Sequence, residues 1–181
     1  RNAVGTWSTV GDWSSAGATG CTSATLRPEV SYDSLGYGHV IFECLGALQD
    51  YVGYLTNRSG AWQSYNLTPT GFAGQISHLA HSLDDNNQLH VLIAYQNSVR
   101  YLKGDPQTMT FNPVENVYTS GLSLGDLAIK AITGTQVRAL MIEFSAGAYQ
   151  LRPLDQEQGS WIRGSQISFH NTPMTLGRPI F

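Results

Sequence analysis

Between Gly74 and Phe111 the chain alternates apolar and polar residues in short runs, each closed by turn-forming residues. Ile76 to Leu83 alternates, Asp84-Asp85-Asn86-Asn87 makes a polar turn, and Leu89 to Tyr95 is an almost unbroken apolar run. A third alternating piece covers Val99 to Lys103, and a fourth centres on Phe111. Successive side chains of a strand point to opposite faces, so this period-2 pattern predicts a four-stranded antiparallel meander. Its second strand is apolar on both sides, so the sheet needs a neighbour on each face.

The pattern recurs, and the recurrence supplies those neighbours. His39-Val40-Ile41-Phe42 matches His90-Val91-Leu92-Ile93 and, more loosely, Arg138-Ala139-Leu140-Met141. Tyr54-Leu55 matches Tyr101-Leu102, and Gly60-Ala61-Trp62 matches Gly159-Ser160-Trp161. Trp62, Phe111 and Trp161 stand 49 and 50 residues apart. A four-stranded unit of about 50 residues predicts an all-β fold, a β-propeller built from four-stranded antiparallel blades. Whole blades are expected over residues 24–67, 74–117 and 126–164, with partial pieces at 1–13 and 165–181. No helix longer than a turn is expected. The partial pieces either combine into one composite blade, or the chain is part of a ring. In the second case another copy, another subunit or further parent sequence completes it. The second arrangement is the expectation, because repeat units cannot bury both faces alone.

Composition then narrows the function classes. The net charge is −3, 13% of residues are charged, and no run of Lys or Arg exists. Neither nucleic acid nor an anionic membrane surface is an expected partner. No apolar run approaches the roughly 20 residues that span a bilayer. The 19 Gly, 9 Tyr and 4 Trp residues suit a turn-rich all-β protein. The chain starts with Arg1 rather than Met, so it reads as processed or as a piece of a longer protein. Cys21 and Cys44 flank the first expected hairpin, and that spacing permits a disulfide without dictating one. The even cysteine count and the scarcity of lysine point to a secreted or otherwise extracytoplasmic protein. Two glycosylation tripeptides, Asn57-Arg58-Ser59 and Asn66-Leu67-Thr68, matter only in a secreted eukaryotic protein.

Candidate chemistry is sparse. His39 and His90 occupy equivalent repeat positions, so each is expected to solve a recurring structural problem: a hydrogen bond to the neighbouring strand. His78 and His81 are three apart on a strand, point to opposite faces and cannot chelate together. No Ser-His-Asp order, P-loop or Cys-x-x-Cys motif is legible, and the spacing of Glu29, Glu43, Glu115 and Glu143 singles out no catalytic pair. Neither a metal nor a cofactor is expected. Trp7, Trp62, Phe111 and Trp161 recur with the repeat and read as packing residues between sheets. Trp13, Tyr37 and Tyr65 fall off the repeat register and are better candidates for stacking on a sugar.

The residues Gly74, Ser77, Asp84, His90, Val91, Tyr95, Tyr101 and Leu102 carry a repeat signature. So do Asp33, His39, Val40, Tyr54, Thr56, Asn57, Ser59, Gly60 and Trp62 in the preceding unit. It resembles the repeat of secreted bacterial β-propeller proteins of the BNR and sialidase-like style. The resemblance covers most of the chain and implies a fold more than an activity. A sialidase would need an arginine cluster, whereas Arg27, Arg58, Arg100, Arg138, Arg152, Arg163 and Arg178 fall at scattered strand positions. A second set of residues, Tyr149-Gln150-Leu151 and Gly159-Ser160-Trp161-Ile162-Arg163-Gly164, resembles fungal fucose-specific lectins. That resemblance implies a sugar site pairing an arginine on a second strand, here Arg138, with an acid on the third, where Gln150 stands. The expectation is a non-enzymatic extracellular module binding a glycan or protein ligand, with Trp13, Tyr37, Tyr65 and Arg138 as contact residues. The alternatives are a glycan-processing, sialidase-like hydrolase and a structural assembly subunit.

Overall fold

The computed structural model describes residues 21–24, 28–46, 49–70, 72, 74–145 and 148–170. They form three antiparallel sheets, and no helix occurs among them. The first sheet contains β1 (Cys21–Ala24), β2 (Glu29–Tyr32), β3 (Gly38–Gly46), β4 (Tyr51–Thr56) and β5 (Gln63–Asn66). The second contains β6 (Ile76–Leu83), β7 (Leu89–Tyr95), β8 (Ser98–Asp105), β9 (Thr110–Phe111) and β10 (Glu115–Thr119). The third contains β11 (Ser123–Thr133), β12 (Gln136–Ser145), β13 (Ala148–Glu157), β14 (Ser160–Arg163) and β15 (Ile167–His170).

Each sheet has four strand positions, one of them broken in two. In the first sheet β1 and β2 pair with successive stretches of β3. In the second, β9 and β10 share β8. In the third, β14 and β15 share β13, with Leu151 opposite Ile167 and Leu154 opposite Arg163. This last pairing differs from the expected boundaries, which end the third blade at residue 164 and leave 165–181 as a partial piece. Gln166-Ile167-Ser168 repeats Gln75-Ile76-Ser77 locally, but the free edge of β13 captures it as the end of the third sheet. The pieces 1–13 and 171–181 lie outside the described residues.

The sheets stack face to face in chain order. β6 packs against β2 and β3, and β11 packs against β6 and β7. One core lies between the first and second sheets, where Ile41, Val52 and Tyr54 meet Leu89, Val91, Ile93 and Leu102. The other lies between the second and third, where Leu92, Ala94 and Tyr101 meet Ile129, Val137, Ala139 and Met141. Every residue of β7 is buried, because this strand feeds both cores alternately. Large side chains on the outermost strands close the cores. Phe111 lies directly over Gly104, so closely that a Cβ on Gly104 would collide with the ring. Trp161 meets Tyr101 edge-on with ring centroids 5.0 Å apart. Trp62 sits on Gly38, where an added Cβ would come within 2.7 Å of the indole.

Candidate functional site

The equivalent turns after β2 and β6 are built alike. Asp33 Oδ1 accepts from the backbone N–H groups of Leu35 and Tyr37, both at 2.9 Å. Asp84 Oδ1 accepts from Asn86 at 2.8 Å and from Gln88 at 2.9 Å. The third residue after each aspartate has positive φ, 84° at Gly36 and 59° at Asn87, which glycine and asparagine tolerate best. The second carboxylate oxygen of each aspartate faces a buried imidazole. His90 Nε2 lies 3.1 Å from Asp84 Oδ2, and His39 Nε2 lies 3.6 Å from Asp33 Oδ2. Each imidazole Nδ1 lies 2.6 Å from a tyrosine hydroxyl on the next strand, Tyr54 for His39 and Tyr101 for His90.

The carboxylate only accepts, so the proton sits on Nε2 and Nδ1 accepts from the phenol. Burial lowers the pKa of both histidines despite the neighbouring aspartates, so both are held neutral. Burial also raises the pKa of both tyrosines, which keeps them as donors.

In the first sheet this pillar ends at a cleft. The Tyr65 ring lies against Tyr54, with centroids 6.2 Å apart. Tyr65 also donates from its hydroxyl to Gln63 Oε1. Arg58 Nη1 lies 3.4 Å from Asp33 Oδ2, and Arg58 Nη2 donates to Gln107 Oε1 at 3.3 Å. Together with Tyr37, Met109 and neighbouring residues these groups line a cleft of about 270 Å³ between the first and second sheets. One buried carboxylate, Asp33, therefore holds the Leu35 and Tyr37 backbone through Oδ1, and its Oδ2 faces the Arg58 guanidinium and the His39 ring without a hydrogen bond to either. A second cleft of about 310 Å³ lies between the second and third sheets, lined by Lys103, Glu115, Asn112, Thr135 and Gln156.

No known protein-family model matches this chain, and no curated protein matches it.

Of the residues singled out in the sequence, Tyr37 and Tyr65 come together in the first cleft. Arg138 does not join them. It stands exposed on the far face of the third sheet, between Lys130 on β11 and Asp155 on β13. Gln150, where a lectin-like acid is wanted, pairs with Glu143 instead. The histidine pillar is absent from the third sheet, where Arg138 stands at the repeat position of His39 and His90 and a two-residue connection from Thr133 to Gln136 replaces the aspartate turn. Trp13 lies outside the described residues, as does the side chain of Cys21. Cys44 is buried and disulfide-bonded. Among the described residues no group of three or more His, Cys, Asp and Glu side chains is placed to hold a metal ion.

Two polar clusters across sheet boundaries escaped the sequence reading. Glu143 receives hydrogen bonds from Arg152 Nε at 2.7 Å, from the Tyr118 hydroxyl at 2.9 Å and from the Ser120 hydroxyl. Burial alone would raise its pKa, but these donors outweigh burial and hold the carboxyl below its ordinary value. The second cluster joins the first two sheets. Ser31 Oγ lies 2.8 Å from His81 Nε2, and His81 Nδ1 lies 3.2 Å from Glu29 Oε2. No sequence motif announces it, because its members sit 50 and 52 residues apart, about one repeat length.

Proposed function

We propose that this chain is an extracellular binding module that takes a glycan in the cleft between its first two sheets. The observation that carries the reading is the convergence of Tyr37, Tyr65, Arg58 and Gln107 on that cleft. Aromatic faces stack on the apolar face of a sugar ring, and guanidinium and amide groups hydrogen-bond its hydroxyls. Asp33 holds the Tyr37 backbone and faces the Arg58 guanidinium before any ligand arrives, which lowers the ordering cost of binding. The disulfide at Cys44 supports an oxidising, extracytoplasmic setting. A glycan array probed with the wild type and with Tyr65→Ala tests the reading. Retention of one glycan class, lost in Tyr65→Ala at unchanged thermal stability, is the expected result. No retention, or equal retention by the variant, overturns it.

We infer further that the three sheets are blades of a propeller-type assembly completed by a second copy of this chain. Most of the large exposed apolar side chains lie on the two outward sheet faces. Val30 and Tyr32 are on the first sheet, and Ile132, Leu140, Phe144, Ile162 and Ile167 are on the third. The forward face of each earlier sheet packs on the backward face of the next. A second copy's first sheet repeats that contact on the open face of the third, which would bury both patches. Light scattering tests the assembly. A dimer or larger ring is expected, dissociated by Leu140→Glu, and a monomer at high concentration overturns it.

A further inference from the structure

We propose that Ser31, His81 and Glu29 form an acyl-transfer site, with Ser31 as the nucleophile toward carboxylic esters. The site is separate from the binding cleft, since none of its three residues lines that cleft. Glu29 Oε2 accepts from the backbone N–H of His81 at 3.0 Å and faces the ring Nδ1 at 3.2 Å. A carboxylate can only accept, so the ring proton belongs on Nδ1. Nε2 then carries the lone pair and accepts from the Ser31 hydroxyl at 2.8 Å. This is the order of a serine nucleophile, its base and the group orienting the base, and it is recognised by geometry rather than chain order. The His81 side chain is only 2% exposed, so the base is shielded, whereas Ser31 on the edge segment β2 is half-buried.

A purely structural tie between sheets has a built-in comparison. Ser82 occupies the same position in the second sheet, opposite His90 as Ser31 is opposite His39. Its hydroxyl accepts from the Ala131 N–H at 3.1 Å and donates to the Leu83 carbonyl. Ser82 therefore bridges sheets without any base, and a tie of this kind needs neither a histidine nor a carboxylate behind it. The first boundary carries both.

In the reaction, Ser31 Oγ bonds to the acyl carbon while its proton passes to His81 Nε2. The ester C–O bond breaks, and the departing alcohol takes that proton. Water then attacks the acyl-serine, gives a proton to Nε2 and releases the carboxylic acid, and Ser31 regains its hydrogen from the imidazole. Glu29 is a positioning residue that acts through His81.

The test uses the whole 181-residue chain with a fluorophosphonate serine probe and p-nitrophenyl acetate. The adduct is located by peptide mass spectrometry, and folding of every variant is checked by thermal melting. The expected result is a single adduct on Ser31, abolished by Ser31→Ala and retained by Ser82→Ala. Labelling should slow by about 100-fold or more in His81→Gln. Glu29→Gln should slow it strongly and Glu29→Asp should recover part of the rate, a rescue that mere sheet bridging would not produce. Folded wild-type protein that takes no probe overturns the proposal, as does an adduct on another serine. A failure here leaves the glycan array result untouched, and a failed array leaves this result untouched.

Discussion

The Tyr101 hydroxyl sits 2.6 Å from His90 Nδ1, in the core between the second and third sheets. Tyr54 and His39 repeat that distance in the first sheet. The contact ties two adjacent strands through a neutral hydrogen bond, while the far side of each imidazole faces the aspartate that shapes the preceding turn. Turn, second strand and third strand are thus coupled through one side chain. In a low-dielectric core such a network is strong only while every member keeps its protonation state.

The first prediction follows from that condition. Burial lowers the folded-state pKa of both histidines below the ordinary 6.5. The unfolded chain therefore binds more protons as pH falls below about 6.5, and the folded chain resists them. The stability from neutral His39 and His90 is complete above that pH and is lost on acidification through the lowered values. Glu143, also held below its ordinary 4.5, adds a second loss below that pH. Thermal melts at pH 8, 6.5, 5 and 3.5 should show a falling Tm at each step below 6.5. A Tm unchanged from pH 8 to pH 5 would contradict the account.

Gly104→Ala should destabilise the protein, because the new methyl group enters the space of the Phe111 ring. Overpacking of this kind costs about 1–3 kcal/mol. Chemical denaturation reads the loss, and Phe111→Leu in the same chain should restore part of it by vacating the ring position.

Trp161 separates size from polarity. Its ring packs against Tyr101 and the adjoining core, while its indole N–H is buried with no hydrogen-bond partner. Trp161→Ala should cost about 3 kcal/mol by opening a cavity. Trp161→Phe should cost much less, since it keeps a ring and removes an unsatisfied donor. Equal losses in the two variants would mean that the indole N–H finds a partner in solution.

Glu143→Gln should be among the most damaging single changes. It keeps the side chain's shape but leaves the buried Arg152 guanidinium without its counter-charge. Breaking one side of a buried pair costs about 3–5 kcal/mol. Because Tyr118 and Ser120 reach Glu143 from the second sheet, the loss should appear as earlier exchange of amides in β11 and β12.

The strands and their recurrence are legible along the chain, because side-chain alternation and turn chemistry are local. Ile76 to Leu83 and Leu89 to Tyr95 form β6 and β7 as their apolar patterns require. The matched Asp33 and Asp84, six residues before each histidine, announced two identical turns. The equivalence of His39 and His90 likewise pointed to a recurring bond, which the tyrosines supply. Tertiary structure alone decided which residues of different sheets meet. Tyr37 and Tyr65 reach one cleft because the turn that Asp33 holds and strand β5 border the same sheet boundary, whereas Arg138 faces outward on the third sheet. Ile167–His170 joined the third sheet because β13 had an open edge, which no local pattern records. Ser31, His81 and Glu29 converge because β2 packs against β6 at a fixed height. Contacts between stacked sheets depend on that relative height and on the facing side, and neither leaves a periodic mark in the chain.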